Sequence, residues 1–311
     1  MTFQQLEYIV AVDRSRHFVN AATVCGVTQS TLSSTIAKLE QEIDVIIFDR
    51  SKHPIEPTPM GKKIIEQAEV ILRNSSQLRE LVQSERNEER GKLFLGMIPS
   101  VAPVIVPKFC RMINDSAPGI EVHTYEQEAM PLIDRLQRSE LDMIIVDSAD
   151  IADTNLLGID LYTERFMVYA SGASQLANRE TIRPEDLMDG NIWTLRSFHD
   201  RYPQLTEVTH QKSMNHHTFL DSGGLSTLVS AVDMNGGFTL LPETFASALN
   251  DEQRQRLHKV SSGKFFRTIS LGIRREYVRE RMLNIVTDAV KRIIPHELLD
   301  MRITKFDKVK L

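Results

Sequence analysis

The sequence predicts an α/β chain with an all-α N-terminal part, on the strength of three observations. Two short helices joined by a glycine turn lie around Gly26, a long amphipathic helix starts after Thr58-Pro59, and short apolar runs alternate with helical stretches from Gly91 to Ile294. The length, 311 residues, suggests about two domains. Hydrophobic residues make up 41% of the chain, enough for packed cores and too many for wholesale disorder.

The first helix pair runs from Ala21 to Glu40. Leu32, Ile36, Leu39 and Ile43 recur at gaps of four, three and four, so they share one face and hold the second helix against a core. The opposite face is small and polar. Thr28 is placed to cap the helix, and Gln29, Ser30, Thr31, Ser33 and Ser34 crowd its first two turns, with Lys38 one turn further on. Helix-turn-helix proteins touch base edges with these positions. Gln bonds adenine through both ends of its amide, and serine hydroxyls reach bases or phosphates. The alternative is a solvated helix start in an ordinary helical hairpin, against which turn, cap and polar face occur together.

These residues resemble the LysR-type transcriptional regulators, and the resemblance extends from Met1 to about Ile294. The matching positions are Ala21-Ala22, Thr28-Gln29-Ser30, Leu32-Ser33, Ile36, Leu39-Glu40, Phe48 with Arg50, and Thr58 followed by Gly61. The chain departs from the pattern at Val24, where leucine is usual, at Ile43-Asp44, where Leu-Gly is preferred, and at Ser34, where many members carry arginine. The resemblance implies a winged helix-turn-helix DNA-binding domain over 1–58, with Arg50 to Pro57 as the wing, Lys52 or His53 near the minor groove and Arg50 near phosphate. It further implies a dimerisation linker helix and hinge over 59–90 and a regulatory domain over 91–296. That domain is a two-lobed α/β effector domain resembling type 2 periplasmic binding proteins, with lobe I at 91–161 and 265–296 and lobe II at 162–264. A basic tail, 297–311, carries Arg302, Lys305, Lys308 and Lys310.

Net charge is −5, and residues 1–58 hold slightly more acids than bases, so DNA binding rests on local placement of cations. A symmetric dimer on two half-sites about 34 Å apart compensates for so few of them. Ile64, Ala68, Ile71, Ser75, Leu78 and Val82 form a heptad-like seam suited to pairing with a second copy, and the alternative is packing on the helix's own domain. Ser84 to Arg90 is densely charged and reads as a solvated hinge. Glu7 and Asp13 interrupt the N-terminal apolar positions, which excludes a signal-peptide core, and no apolar run reaches about 18 residues. A cytoplasmic protein without a membrane partner is therefore expected. Cys25 and Cys110 lack the spacing of a metal or redox pair and read as small buried hydrophobes.

In the second part the patterns predict strands at 92–98, 120–126, 141–146, 166–170, 192–195, 217–220, 237–241 and 268–274. Helices are predicted at 104–113, 131–138, 201–210, 225–234 and 278–294. The chain should cross between lobes near Leu161 and Lys264. Ligands in open α/β sheets sit beyond the carboxyl ends of the strands. Ser100, Val101 and Ala102 then offer free helix-start amides to an anion, and Arg196, His199, Asp200 and Arg201 face them as a mixed-charge cluster, with Gln127, Ala129, Asp147 and Gly223 completing the wall. The cluster fits a small carboxylate effector, or satisfies itself with no ligand.

Within the family, Gly91 to Pro103 and Gly237 to Pro242 most resemble the OxyR-like, peroxide-sensing branch. Where that branch carries Gly-His-Cys-Leu-Arg-Asp, this chain reads Phe198-His199-Asp200-Arg201-Tyr202-Pro203, and no cysteine lies beyond Cys110. Aspartate forms neither a sulfenic acid nor a disulfide, so thiol-based peroxide sensing is not expected. His199, His210, His216 and His217 lack zinc-motif spacing, and neither a metal nor a cofactor is expected. The reading is a regulator, not an enzyme. It binds an inverted-repeat operator in double-stranded DNA as a homodimer or homotetramer, with RNA polymerase and an unidentified small-molecule effector as further partners. The alternative is a cytosolic enzyme or ligand-binding protein on a solute-binding-like fold, which the absence of G-x-S-x-G, P-loop and G-x-G-x-x-G motifs opposes.

Overall fold

The structure is a computed structural model that describes residues 1–52, 54–84, 91–177, 179–187, 191–202, 217–220, 223–261, 265–277, 279–301 and 303, with the side chains of 76–84, 199–201 and 217 outside that description. The chain divides into two compact units, one of residues 1–88 with 138–140, the other of 89–137 and 141–311.

The first unit consists of α1 (Phe3–Ser15), α2 (Phe18–Val24), α3 (Gln29–Ile43), a two-stranded antiparallel ribbon of β1 (Phe48–Asp49) and β2 (Glu56–Pro57), and α4 (Pro59–Ser84). A capping box starts α1: Thr2 Oγ1 accepts the Gln5 amide and Gln5 Oε1 accepts the Thr2 amide. Leu32, Ile36 and Leu39 are fully buried and meet Ile9, Val12, Ile47 and Phe48 in one core, with Ile43 half-buried at its margin. Gly26 turns the chain between α2 and α3 at a φ of 66°, a conformation that favours glycine. At the end of α3 the departure Ile43-Asp44 has a physical reading: Asp44 takes the left-handed cap at φ 51°, and aspartate tolerates that conformation better than most side chains.

The start of α4 is welded to β1. Thr58 Oγ1 donates to the Ile46 carbonyl and accepts the Gly61 amide, while the Thr58 amide donates to the Ile47 carbonyl. A Cβ at Gly61 would lie 2.0 Å from the Ile47 carbonyl oxygen, so no other residue fits this approach. The predicted seam of α4 is partly used up here. Ala68 is buried and Ile64 half-buried in the core shared with α1, as is Ile65, which the seam omitted. Ile71 remains exposed, and the side chains of Leu78 and Val82 lie outside the described residues, as does the predicted hinge from residue 85 onward. The wing residue His53 also lies outside them. Cys25 and Cys110 are half-buried, not the fully buried hydrophobes expected, because one closes the turn after α2 and the other sits on the outer side of a helix whose Phe109 and Ile113 fill the core.

The second unit contains, among the described residues, a ten-stranded sheet. Its elements in chain order are β3 (Gly91–Met97), α5 (Ala102–Ser116), β4 (Ile120–Glu126), α6 (Ala129–Gln137), β5 (Met143–Asp147), α7 (Ser148–Ile151) and β6 (Leu156–Ala170). Then come β7 (Thr181–Ile182), β8 (Ile192–Leu195), α8 (Arg196–Arg201), β9 (His217–Leu220), α9 (Leu225–Asn235), β10 (Phe238–Pro242), α10 (Asp251–Arg254), β11 (Leu257–Val260), β12 (Phe266–Arg274) and α11 (Glu280–Ile293). Spatial order is β4-β3-β5-β12-β6-β10-β8-β9, with β11 joining β6 to β7. Parallel pairs β3-β4 and β3-β5 in one half and β8-β9 in the other are crossed by helices, as the alternating pattern predicts.

The chain passes from one half to the other within a single strand that spans the expected crossing near Leu161. Residues 156–165 of β6 pair with β12, and Phe166 to Ala170 pair with β10. A strand shared by both halves keeps its backbone amides and carbonyls satisfied through the junction. The second crossing, placed at Lys264, and the helix predicted over 201–210 fall largely outside the described residues, although α8 covers 196–201. The tail is not all appendage. Leu299 bridges to Tyr162, the Asp300 amide donates to the Leu161 carbonyl, and Ile303 is buried in the core, while Arg302, Lys305, Lys308 and Lys310 lie outside the described residues. No helix among the described residues is long and apolar enough to cross a membrane.

Candidate nucleic-acid interface and effector site

On the first unit, the polar face of α3 is exposed beside the ribbon. Thr28 Oγ1 accepts the Thr31 amide at 3.2 Å and lies 2.9 Å from Ser30 Oγ and 2.8 Å from Thr31 Oγ1. Ser34 Oγ donates to the Thr31 carbonyl at 3.0 Å. These hydroxyls therefore stiffen the first turn, and they meet a partner only through their remaining hydrogen-bonding capacity. Gln29 and Lys38 are exposed and make no such bond among the described residues.

Glu40 clamps the ribbon to α3. Its Oε1 accepts the amides of Ile47 and Phe48 at 2.8 and 3.3 Å, and its Oε2 pairs with Arg50 Nη2 at 3.0 Å. Arg50 Nη1 donates to Ser33 Oγ at 3.3 Å, and the guanidinium lies 5.2 Å from the Phe18 ring centre. Arg50, expected at a phosphate, is thus held against α3 and keeps one edge to solvent, because Glu40 is the nearest compensating charge. Lys52 pairs with Glu56 at 2.5 Å, and both side chains are about half exposed. Such a surface pair is weak and readily exchanged for phosphate.

On the second unit, the Val101 and Ala102 amides expected to face an anion at the start of α5 are taken up within the chain. The Val101 and Ala102 amides donate to the Ile98 carbonyl at 2.9 and 3.1 Å, the Val104 amide donates to the Val101 carbonyl, and Pro103 has no N–H. Val101 and Ala102 are core residues. Ala129, proposed for the wall, is likewise buried at the start of α6. Gln127 is exposed and accepts from Arg135 at 3.2 Å. Arg196 is exposed with its guanidinium 5.0 Å from the Phe219 ring centre, and Gly223 is exposed at φ 135° just before α9. The side chains of His199, Asp200, Arg201 and His217, with all of His210 and His216, lie outside the described residues. Among the described residues no cluster of His, Cys, Asp or Glu is fit to hold a metal ion.

What the structure does bring together is a buried network at the shared strand. Arg267 of β12 donates from Nε to Glu164 Oε1 at 2.8 Å, with Nη2 2.7 Å from the same oxygen, and from Nη1 to Ser100 Oγ at 2.7 Å. Glu164 Oε2 accepts the Thr244 amide at 3.1 Å and the Thr244 hydroxyl at 2.5 Å. Both ionic side chains are at most 1% exposed. Burial is the largest influence on Arg267 and opposes its charge, but Glu164 together with the Tyr202 and Tyr162 hydroxyls more than offsets it and holds the guanidinium above its ordinary range. Phe166 and Phe198 lie 5.5 and 6.0 Å from the guanidinium. Asp147, at the end of β5, accepts the Ala149 amide at 3.0 Å and the Tyr202 hydroxyl at 2.6 Å. Of the residues proposed for this site, Ser100 and Asp147 border the junction, Ser100 within the Arg267 network and Asp147 bonded to Tyr202.

The sequence carried a signal for the partners that were missed. Glu164 alternates with Tyr162, Phe166 and Val168 on the apolar face of β6, and Arg267 precedes Ile269 at the same period on β12. An acid and a base on apolar strand faces must pair if those faces meet.

Fold and site together define a winged helix-turn-helix protein joined to an α/β domain whose two halves share a strand. The chain belongs to the LysR family: residues 3–62 match the model for bacterial regulatory helix-turn-helix proteins of the lysR family, and 86–292 match the LysR substrate binding domain. It is a DNA-binding transcriptional regulator of OxyR-like type, and its homologues are regulators rather than enzymes. The chain is 29% identical to the hydrogen peroxide-inducible genes activator of Haemophilus influenzae over 94% of its own length and 99% of that protein's. It is 28% identical to the HTH-type transcriptional regulator EstR of Acinetobacter baylyi, covering 94% and 97%. A full-length Pseudomonas aeruginosa OxyR with a cysteine-to-aspartate substitution superposes with a TM-score of 0.72 at 29% identity, covering 94% of this chain and 98% of that one.

Removing one member of the buried pair strands the other. Arg267→Met should lower stability by about 3–5 kcal/mol, and adding Glu164→Leu should recover most of that loss, measured by denaturant unfolding of the full chain. Equal losses in the single and double variants would show that the pair is not electrostatically coupled.

Proposed function

We propose that the protein binds an imperfect inverted repeat as a cytoplasmic homodimer or homotetramer, reads bases with α3, and changes DNA geometry when a small molecule acts on the second unit. The observation that carries this reading is the exposed Gln29 on the stiffened first turn of α3, beside a wing that Glu40 fixes in place. Gln29, Ser33 and Ser34 meet base edges, Thr28, Ser30 and Thr31 order the turn, and Lys38, Arg50, Lys52 and His53 contact backbone phosphate or the minor groove. Dimerisation uses the part of α4 beyond Ala68, since the earlier turns are occupied by their own core. RNA polymerase is the partner through which an operator-bound regulator acts. The domain limits proposed are 1–58, 59–90 and 91–296, with the tail from 297.

Effector response operates at the β6 junction, where two halves of one sheet meet around a dry charged pair. A ligand that binds one arrangement of those halves better than the other shifts the population, and this requires differential affinity for the two. Thiol chemistry is not used. The sequence has Cys25 and Cys110 only, and the Cys25 thiol is pushed up by burial and by Glu7, which reduces the reactive thiolate.

Two measurements test this reading. Sheared genomic DNA retained by the full-length protein should be enriched in a few fragments sharing an inverted repeat, and Gln29→Ala should lose about 1–3 kcal/mol of discrimination at one base pair per half-site. Equal retention of all fragments by both proteins would contradict base reading by α3. Hydrogen peroxide should leave the footprint on the recovered operator unchanged. A footprint that moves with peroxide and returns with a thiol reductant would overturn the thiol-independent account.

A further inference from the structure

Tyr202 stands immediately after the last turn of α8, and its ring turns inward to 5% exposure. The ring meets Phe166 edge-on with centroids 4.9 Å apart and Phe198 at 5.8 Å, and so completes a three-ring cluster whose two phenylalanines lie over the Arg267 guanidinium. Its hydroxyl reaches Asp147 at the end of β5. One side chain thereby connects the half-sheet built on β8 and β10 to the half-sheet built on β3 and β5, across the shared strand. Burial, foremost, keeps the phenol protonated and therefore a donor.

The charges around this ring determine what could stand in its place. Arg267 is already neutralised by Glu164, both out of water, and the second polar group that the ring touches is another carboxylate. A carboxylate ligand would bring a third negative charge to a dry site with one buried cation, a costly arrangement. A neutral ring bearing a hydroxyl would keep the Asp147 hydrogen bond and the edge-to-face contacts. We infer that Tyr202 is a tethered occupant of the effector site, and that the small molecules able to replace it are neutral hydroxyaromatic compounds, not the carboxylates that the mixed-charge cluster beginning at Arg196 first suggests. The inference rests on the effector reading of the second unit. A tethered phenol competes at millimolar effective concentration, so an external one acts only when it is abundant or when Tyr202 withdraws.

The test uses full-length protein, Tyr202→Ala and Tyr202→Phe, with p-cresol and benzoate as probes, read by thermal melting and by hydroxyl-radical footprinting on the recovered operator. Tyr202→Ala should melt lower than the parent. p-Cresol should raise that midpoint and restore the parent footprint, and benzoate should do neither. Tyr202→Phe, which keeps the ring, should fall less and respond to neither probe. Benzoate acting as well as p-cresol, or Tyr202→Ala melting like the parent, would overturn the inference. A small molecule that shifts the parent footprint and shifts that of Tyr202→Ala identically would preserve the effector reading and remove this one. Recovery of melting by p-cresol with no movement of the footprint would uphold the tethered occupant and its ligand class while removing effector response at this site. Should Tyr202→Ala fail to fold, Tyr202→Phe combined with Asp147→Asn must show non-additive losses, and additive losses would overturn the inference.

Discussion

A carboxylate and a guanidinium taken out of water have to find each other, and in this protein the Glu164–Arg267 pair meets that demand where β6 passes from β12 to β10. Glu164 lies on β6 just before the strand leaves β12 for β10. Its second oxygen takes up the Thr244 amide and hydroxyl after β10, and Arg267 takes up Ser100 after β3. Three strand ends from both halves of the sheet are therefore tied to one ion pair. With hydrophobic residues in place of the pair, the halves would still share β6 and the Tyr202–Asp147 contact, but the directional ties through Thr244 and Ser100 would be lost.

The same logic operates on a smaller scale in the N-terminal unit. Glu40 carries both the start of β1 and the Arg50 guanidinium, so the wing follows α3 as one rigid surface. Gly61 lets α4 pass so near the Ile47 carbonyl that the long helix inherits the orientation of that surface. In each unit a buried or half-buried acid, Glu40 or Glu164, ties sequence-distant segments into a fixed geometry.

Much of this was legible in the residues. Leu32, Ile36 and Leu39 announced α3 and its buried face, and the alternation of apolar runs from Gly91 announced the parallel strands. The long β6 was legible only over 166–170, because Gly158, Asp160 and Thr163 dilute the apolar pattern of its first half. The start of α5 misled for a different reason. Ser100 and Pro103 mark a helix start with free amides, yet the turn at Ile98 consumes them, which depends on where the Ile98 carbonyl points. Arg50 and Ala68 were assigned outward roles that their nearest neighbours absorbed, since sequence spacing reports which face a residue shares but not how much of that face its own domain covers. Glu164 and Arg267 were visible only as charges out of phase with their strands.

Under the proposed function, the junction on β6 sets the geometry that the two copies of α3 impose on DNA. The most direct test compares hydroxyl-radical footprints of the parent and of the Glu164→Leu/Arg267→Met double variant on the recovered operator. The protected bases within each half-site should stay the same and the pattern between them should change, because α3 is untouched while the polar ties between the sheet halves are lost. Identical footprints from two equally well-folded proteins would contradict it.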